Sequence, residues 1–120
     1  MKNKVFLIGN VGRDPEIKYL SNGDGVANFS LATTMKVKGE EKTEWHKIVA
    51  FGKVVDVIEK YVTKGSRICV EGRLQTRDWE DKNGVRHYIT EIVLSDLSML
   101  GGGERKGERS TPNDPGDMEF

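Results

Sequence analysis

Trp45, Lys47, Val49 and Phe51 recur at every second position of one segment, and Arg73, Gln75, Arg77 and Trp79 do the same in another. Extended backbone sends successive side chains to opposite faces, so each set shares a face. The alternate parity is apolar, with Ile48 and Ala50 beside the first set and Ile68, Val70 and Leu74 beside the second. Those residues are expected in the core. A small domain ordinarily buries its large aromatics, yet both tryptophans are predicted to point the other way, among cations. Flat rings offer a stacking surface to unpaired nucleobases, and neighbouring ammonium and guanidinium groups offer charge to phosphates. The chemistry implied is non-covalent binding of a single nucleic-acid strand. Burial of the rings in a core or a subunit interface is the competing reading.

The elements that must carry these residues follow from period and punctuation. Lys4 to Val11 is apolar at nearly every position, as in a strand covered on both faces, and Gly9 and Gly12 suggest bends or bulges. Asp14-Pro15 turns the chain, SNGDG over 21–25 is a dense turn signal, and Val26 to Thr34 alternates as a strand of a hairpin. Lys36 to Lys42 is polar and charged and reads as a flexible loop, followed by a strand from Thr43 to Phe51. Between 53 and 62 the period changes. Val54, Val55, Ile58, Tyr61 and Val62 share one helical face, and Gly65 is the expected stop. Arg67 to Trp79 and Val85 to Leu94 form a long hairpin across Asp81-Lys82-Asn83-Gly84, whose Asn-Gly is a strong turn dipeptide. Apolar residues on both parities of its second strand, Ile89, Ile92, Val93 and Leu94, suggest a subunit interface.

Strand, strand, strand, helix, strand, strand is the order of the OB-fold, an all-β five-stranded barrel with one helix between strands 3 and 4. Residues 1–100 are expected to form that domain. From Gly101 onward the chain is Gly, Ser, Pro and charge without apolar periodicity, so 101–120 is expected to be a disordered linker with an acidic tip.

Net charge alone does not announce a polyanion partner. The chain has 19 Lys and Arg against 19 Asp and Glu. Residues 111–120 hold Asp114, Asp117 and Glu119 and no cation, so the first 110 carry 19 cations against 16 acids, a net of +3. Any site for phosphates therefore rests on local clustering. Cys69 is the single cysteine and packs as a small apolar group, consistent with a reducing compartment. The apolar run near the N-terminus is too short for a signal or membrane segment, so a cytoplasmic, non-membrane location is expected. His46 lies opposite the Trp45 face, where a hydrogen-bonded core or interface role is expected, and His87 carries no stronger signal. With no phosphate-cradling loop, Ser-His-Asp pattern or metal-ligand spacing, neither enzymatic activity nor a cofactor is expected.

Three separated stretches, NKVFLIGNVGRDPE from Asn3, TEWHKIVAFGK from Thr43 and KGSRICVEGRLQTRDW from Lys64, resemble the bacterial-type single-stranded DNA-binding proteins, in the same order and at compatible spacing. The resemblance spans about Asn3 to Leu100. It implies an OB-fold that usually assembles as a homotetramer, wraps single-stranded DNA without sequence preference and serves replication, recombination and repair near the nucleoid. It also implies recruitment of replication and repair proteins through an acidic C-terminal tip. Trp45, Phe51 and Trp79 fall where that family places base-stacking aromatics, and Lys47, Lys53, Lys64 and Arg77 where it places cations near phosphates. Lys4 and Lys18 are further candidates of that kind, and Arg73 joins them by parity. Two departures are visible. Val37 stands where many members carry another aromatic, in a loop that looks shortened. The tip reads Asp117-Met118-Glu119-Phe120, keeping acid and terminal Phe without the family's proline. Such brevity resembles phage- or plasmid-borne members. Two other readings stand beside this one: an OB module for RNA or protein partners, and a nuclease.

Overall fold

The computed structural model describes residues 1–102; of the expected 101–120 tail it describes Gly101 and Gly102, which continue the last strand opposite Arg67 and Ser66, and the rest of the tail with its tip lies outside the described residues. The chain runs β1 (Val5–Val11), β2 (Glu16–Tyr19), β3 (Gly25–Val37), β4 (Glu40–Phe51), α1 (Val54–Tyr61), β5 (Ser66–Glu80) and β6 (Arg86–Gly102). The sheet order is β1-β5-β6-β4-β3-β2, and an additional pairing of β1 with β3 closes it. Five strands thus form the barrel, while β2 occupies the stretch of the β3 edge that β1 leaves free, opposite Gly25 to Asn28. This is the expected OB-fold. Counted along the chain the helix follows the fourth strand, because β2 is one strand more than the pattern announces; among the barrel strands it still lies between the third and the fourth.

Inward parity fills the barrel. Val11, Ala27, Phe29, Leu31, Ile48, Ala50, Ile68, Val70, Ile92 and Leu94 are buried, and α1 turns Val55 and Ile58 into the same cluster. Full burial of a side chain of this size stabilises the fold by about 1.5–3 kcal/mol. Closure brings backbone against backbone at Gly9, where a Cβ would lie 2.2 Å from the carbonyl oxygen of Ala32. Gly9 therefore marks a close crossing of β1 and β3 rather than a bulge. The register irregularities of the barrel fall instead between Arg67 and Ile68 and between Glu71 and Gly72.

Several local expectations are corrected. Lys36 to Lys42 is not a loop: β3 and β4 pair in register out to Val37 and Glu40. The connection is a turn with Lys38 at φ 52° and Gly39 at φ 83°, the left-handed pair whose twist matches a hairpin. The helix ends at Tyr61, with Val62 extended and buried, and Gly65 (φ 86°) shapes the turn into β5, its N–H donating to the Val11 carbonyl at 2.8 Å. Leu74 has core parity but is 50% exposed. The reason is topological: β1 pairs with β5 only as far as Gly72, so the β5–β6 ribbon continues without the wall that would cover it. Ile92 and Leu94 are core, while Ile89 and Val93 are half-buried on the outer face, so the barrel absorbs much of the apolar surplus that suggested an interface.

Candidate nucleic-acid interface

Register assembles the outer surface in rows. Across β3 and β4, Ala32 faces Trp45, Ser30 faces Lys47, Asn28 faces Val49 and Val26 faces Phe51. On β2, Lys18 continues the Val26 row and Glu16 the Asn28 row. Val49 pairs in parallel with Val93 of β6, and Val93 with Arg73 of β5. Beyond Arg73 the ribbon repeats the pattern, Gln75 opposite Glu91, Arg77 opposite Ile89 and Trp79 opposite His87. Directly opposed residues share a face. Trp45, Lys47, Phe51, Lys18, Arg73, Arg77 and Trp79 therefore all project outward from one continuous stretch of sheet.

The three rings stand in water. Trp45 is 61%, Phe51 51% and Trp79 45% exposed, values that remove a core role within this chain. Six strand positions separate Trp45 from Phe51, about 20 Å at the usual rise, so they serve different stretches of any bound strand. Trp45 rests over Gly12, where a Cβ would come within 2.5 Å of its ring carbon Cζ3. Trp79 stacks on His87, ring centroids 5.1 Å apart and planes 22° from parallel, and the Arg77 Cζ lies 6.0 Å from the indole centroid.

Lys47, Arg77 and Arg13 line an open cleft of about 560 Å³ together with Asn28, Ser30 and the acids Asp14, Glu16 and Glu91. Glu91 is 6% exposed. Its Oε2 accepts Arg77 Nε at 3.0 Å and Gln75 Nε2 at 3.4 Å. A carboxylate buried without such partners would cost several kcal/mol of desolvation (on the order of the values for unpaired buried ions), so Arg77 and Glu91 hold each other. Because Nε is the atom engaged, the Nη groups of Arg77 have no hydrogen-bond partner among the described residues and stay available as donors.

The remaining cations are placed less uniformly. Lys53 stands at the N-terminal boundary of α1, two residues after Phe51, makes no side-chain cap bond and is exposed. Lys64 is exposed in the turn before β5, its backbone N–H donating to Asp14 Oδ1 at 2.8 Å, which sets it beside the Arg13 segment. Lys4 pairs with Glu71 on the β1–β5 wall, away from the cleft. None of these three lines the cleft. His46 bonds Thr33 Oγ1 at 2.9 Å, and burial, then Glu71 and Asp96, pushes the Cys69 thiol up from its ordinary range.

Pattern reading passes over Arg13, Glu91 and His87. Arg13 follows Gly12, whose N–H donates to the Ser30 carbonyl at 3.0 Å, so it enters the cleft because β1 ends against β3 just before the Asp14-Pro15 turn. Asn28 and Ser30 had a usable signal, since they alternate with the buried Ala27, Phe29 and Leu31. Glu91 had one too, as an acid inside the apolar run Ile89 to Leu94. At the ribbon tip, Asp81 Oδ1 accepts the N–H groups of Asn83 and Val85, each at 2.9 Å, and Oδ2 meets His87 Nε2 at 2.7 Å. The His87 bond, and then the bond from Val85, hold the Asp81 carboxyl below its ordinary value.

Among the described residues no group of His, Cys, Asp and Glu could hold a metal ion, and no helix is long and apolar enough to cross a membrane. The profile of the Single-strand binding protein family matches residues 2–100. A solved structure described as Plasmodium falciparum SSB in complex with ssDNA is similar at a TM-score of 0.79 and 45% identity, covering 84% of this chain and 96% of that one.

Proposed function

This chain belongs to the single-strand binding protein family, and from that premise we propose that it binds and protects single-stranded DNA without sequence preference and without catalysis. The observation that carries the reading is the one outward face on which Trp45, Phe51 and Trp79 stand exposed around Lys47 and Arg77. A duplex hides the faces of its bases, whereas a single strand presents them to these rings. Every base has a π-face, so stacking ignores sequence. For proteins of this class each stacked base is known to be worth about 1–3 kcal/mol.

Lys47, Arg77 and Arg13 take the phosphates in the cleft, with Arg73, Lys18, Lys53 and Lys64 along the path to either side. Lys4, paired with Glu71, contributes least. The similar Plasmodium falciparum structure, described as an ssDNA complex, supports this assignment of the partner. Titration with oligo-dT tests it: intrinsic tryptophan fluorescence falls on binding, and added salt restores it. Quenching that is absent, or that survives high salt unchanged, would contradict the reading.

The finer features rest on sequence and on surface. Residues 1–100 are the binding domain, its last strand running on through Gly102, and the rest of 101–120 is a linker whose tip, Asp117, Met118, Glu119 and Phe120, recruits replication, recombination and repair proteins. An apolar terminal side chain beside acids and a free carboxylate supports that role. Assembly as a homotetramer is supported by exposed apolar residues on the outer wall, Phe6 and Ile8 on β1 and Tyr88 on the ribbon. The location is cytoplasmic, at the nucleoid, where such a strand is found.

A further inference from the structure

Past Leu74 no third strand among the described residues pairs with the β5–β6 ribbon, so Trp79 has no barrel wall to rest on. It is instead contacted by a chain of neighbours that begins at the turn. Asp81 uses one carboxylate oxygen to tie down the N–H groups of Asn83 and Val85 and the other to hold His87 Nε2 at 2.7 Å. The held imidazole lies nearly parallel to the Trp79 indole at 5.1 Å. A proton on Nε2 makes that hydrogen bond in the neutral imidazole and in the cation alike, so the link to Asp81 does not depend on His87 being charged.

We propose that Asp81 and His87 are positioning residues for Trp79: the imidazole covers one face of the indole, the carboxylate fixes the imidazole, and an incoming base stacks on the face away from His87, with the Arg77 guanidinium, 6.0 Å from the ring centroid, swinging aside to its phosphate. This rests on the single-strand reading given above. An unsupported indole on a two-stranded ribbon would sample several rotamers and give up that freedom each time a base stacked on it, weakening the contact. The bracket removes the cost in advance. It also limits Trp79 to one base, because a ring with one face covered cannot be sandwiched. The Arg86–Asp78 pair plays no part in it, since Asp78 faces Tyr88 on the alternate register and so lies on the other side of the ribbon.

The test uses the Trp45→Phe protein, in which Trp79 is the sole indole, alone and combined with His87→Ala, His87→Phe or Asp81→Asn. Time-resolved anisotropy without DNA reads the motion of the ring, and oligo-dT titration reads its use. His87→Ala should speed ring reorientation and weaken binding about three- to tenfold, the range expected for loss of one stacked aromatic pair. His87→Phe, which restores a ring, should return both toward the parent. Asp81→Asn keeps an amide oxygen for the turn but loosens the imidazole, and should give an intermediate ring mobility. Anisotropy and affinity unchanged in His87→Ala, or no recovery in His87→Phe with thermal melts alike, would overturn the proposal. If neither the parent nor the wild type responds to oligo-dT, the single-strand reading is overturned instead, and the DNA-free anisotropy comparison decides the bracket by itself.

Discussion

A methyl group at position 12 would collide with the Trp45 ring at 2.5 Å, so this small residue decides where the indole rests. Gly12→Val should lift the ring from its seat and weaken oligo-dT binding severalfold, while the barrel, whose core does not include position 12, melts within a few degrees of wild type. A binding isotherm unchanged by the substitution would show that the seat does not matter. Arg77 carries two roles, and its removal should show both. Arg77→Ala leaves the buried Glu91 carboxylate without its guanidinium, a loss on the order of 1–3 kcal/mol for an unsatisfied buried acceptor, visible as a lower denaturation midpoint. It also deletes one phosphate contact, which should shift the salt slope, d log K/d log[salt], by about 0.7 toward zero. A change in stability with an identical salt slope would confine Arg77 to the ion pair. The parity of these side chains was legible in the sequence, because strand alternation is local. The Arg77–Glu91 pair was not, since it depends on which residue of β6 lies beside β5, and the register there is set by the turn at 81–84 and the irregularity near Gly72.

At the scale of elements, the ribbon and the β3–β4 hairpin extend the sheet beyond the barrel. The hairpin escaped the pattern because charged residues such as Lys36 and Glu41, which pair across it, look the same in a loop as on two solvated strand faces. β2 escaped because its four residues are too few for alternation to register, and only pairing with β3 makes them a strand. Leu74 followed the alternation faithfully and was misplaced only because alternation does not say where a barrel ends. The ribbon tip makes a pH prediction. Asp81 titrates below its ordinary value of 3.8 when folded, so its contribution to the turn is complete above that value and is lost as pH falls through the lowered one. Amide resonances of Asn83 and Val85, followed by NMR from pH 5 downward, should shift together in the acid range below about 3.8 and stay flat in Asp81→Asn. Resonances of the wild type that do not move there would remove Asp81 from the turn. Barrel closure is tested at Gly9: Gly9→Val drives a side chain into the Ala32 carbonyl and should cost several kcal/mol, roughly the scale of overpacking with backbone displacement, read as a large fall in the urea midpoint.

For the molecule as a whole, a net charge of zero conceals a surface that sorts its charges. Glu71 and Glu91 are occupied by Lys4 and Arg77, while Lys47 and Arg13, which line the cleft beside Asp14 and Glu16, have no ion-pair partners among the described residues. Attraction to phosphates therefore comes from arrangement rather than from excess charge, and it should be felt only at short range and weaken with salt. The central claim is that the exposed rings read unpaired bases. The most direct measurement is a competition at fixed ionic strength, in which labelled oligo-dT bound to the protein is challenged with unlabelled single strand or with duplex of equal length. Displacement by the single strand, with duplex at least a hundredfold weaker (on the order of 3 kcal/mol, a stacked base or more), is the predicted result. Duplex that displaces the label as well as the single strand does would contradict it.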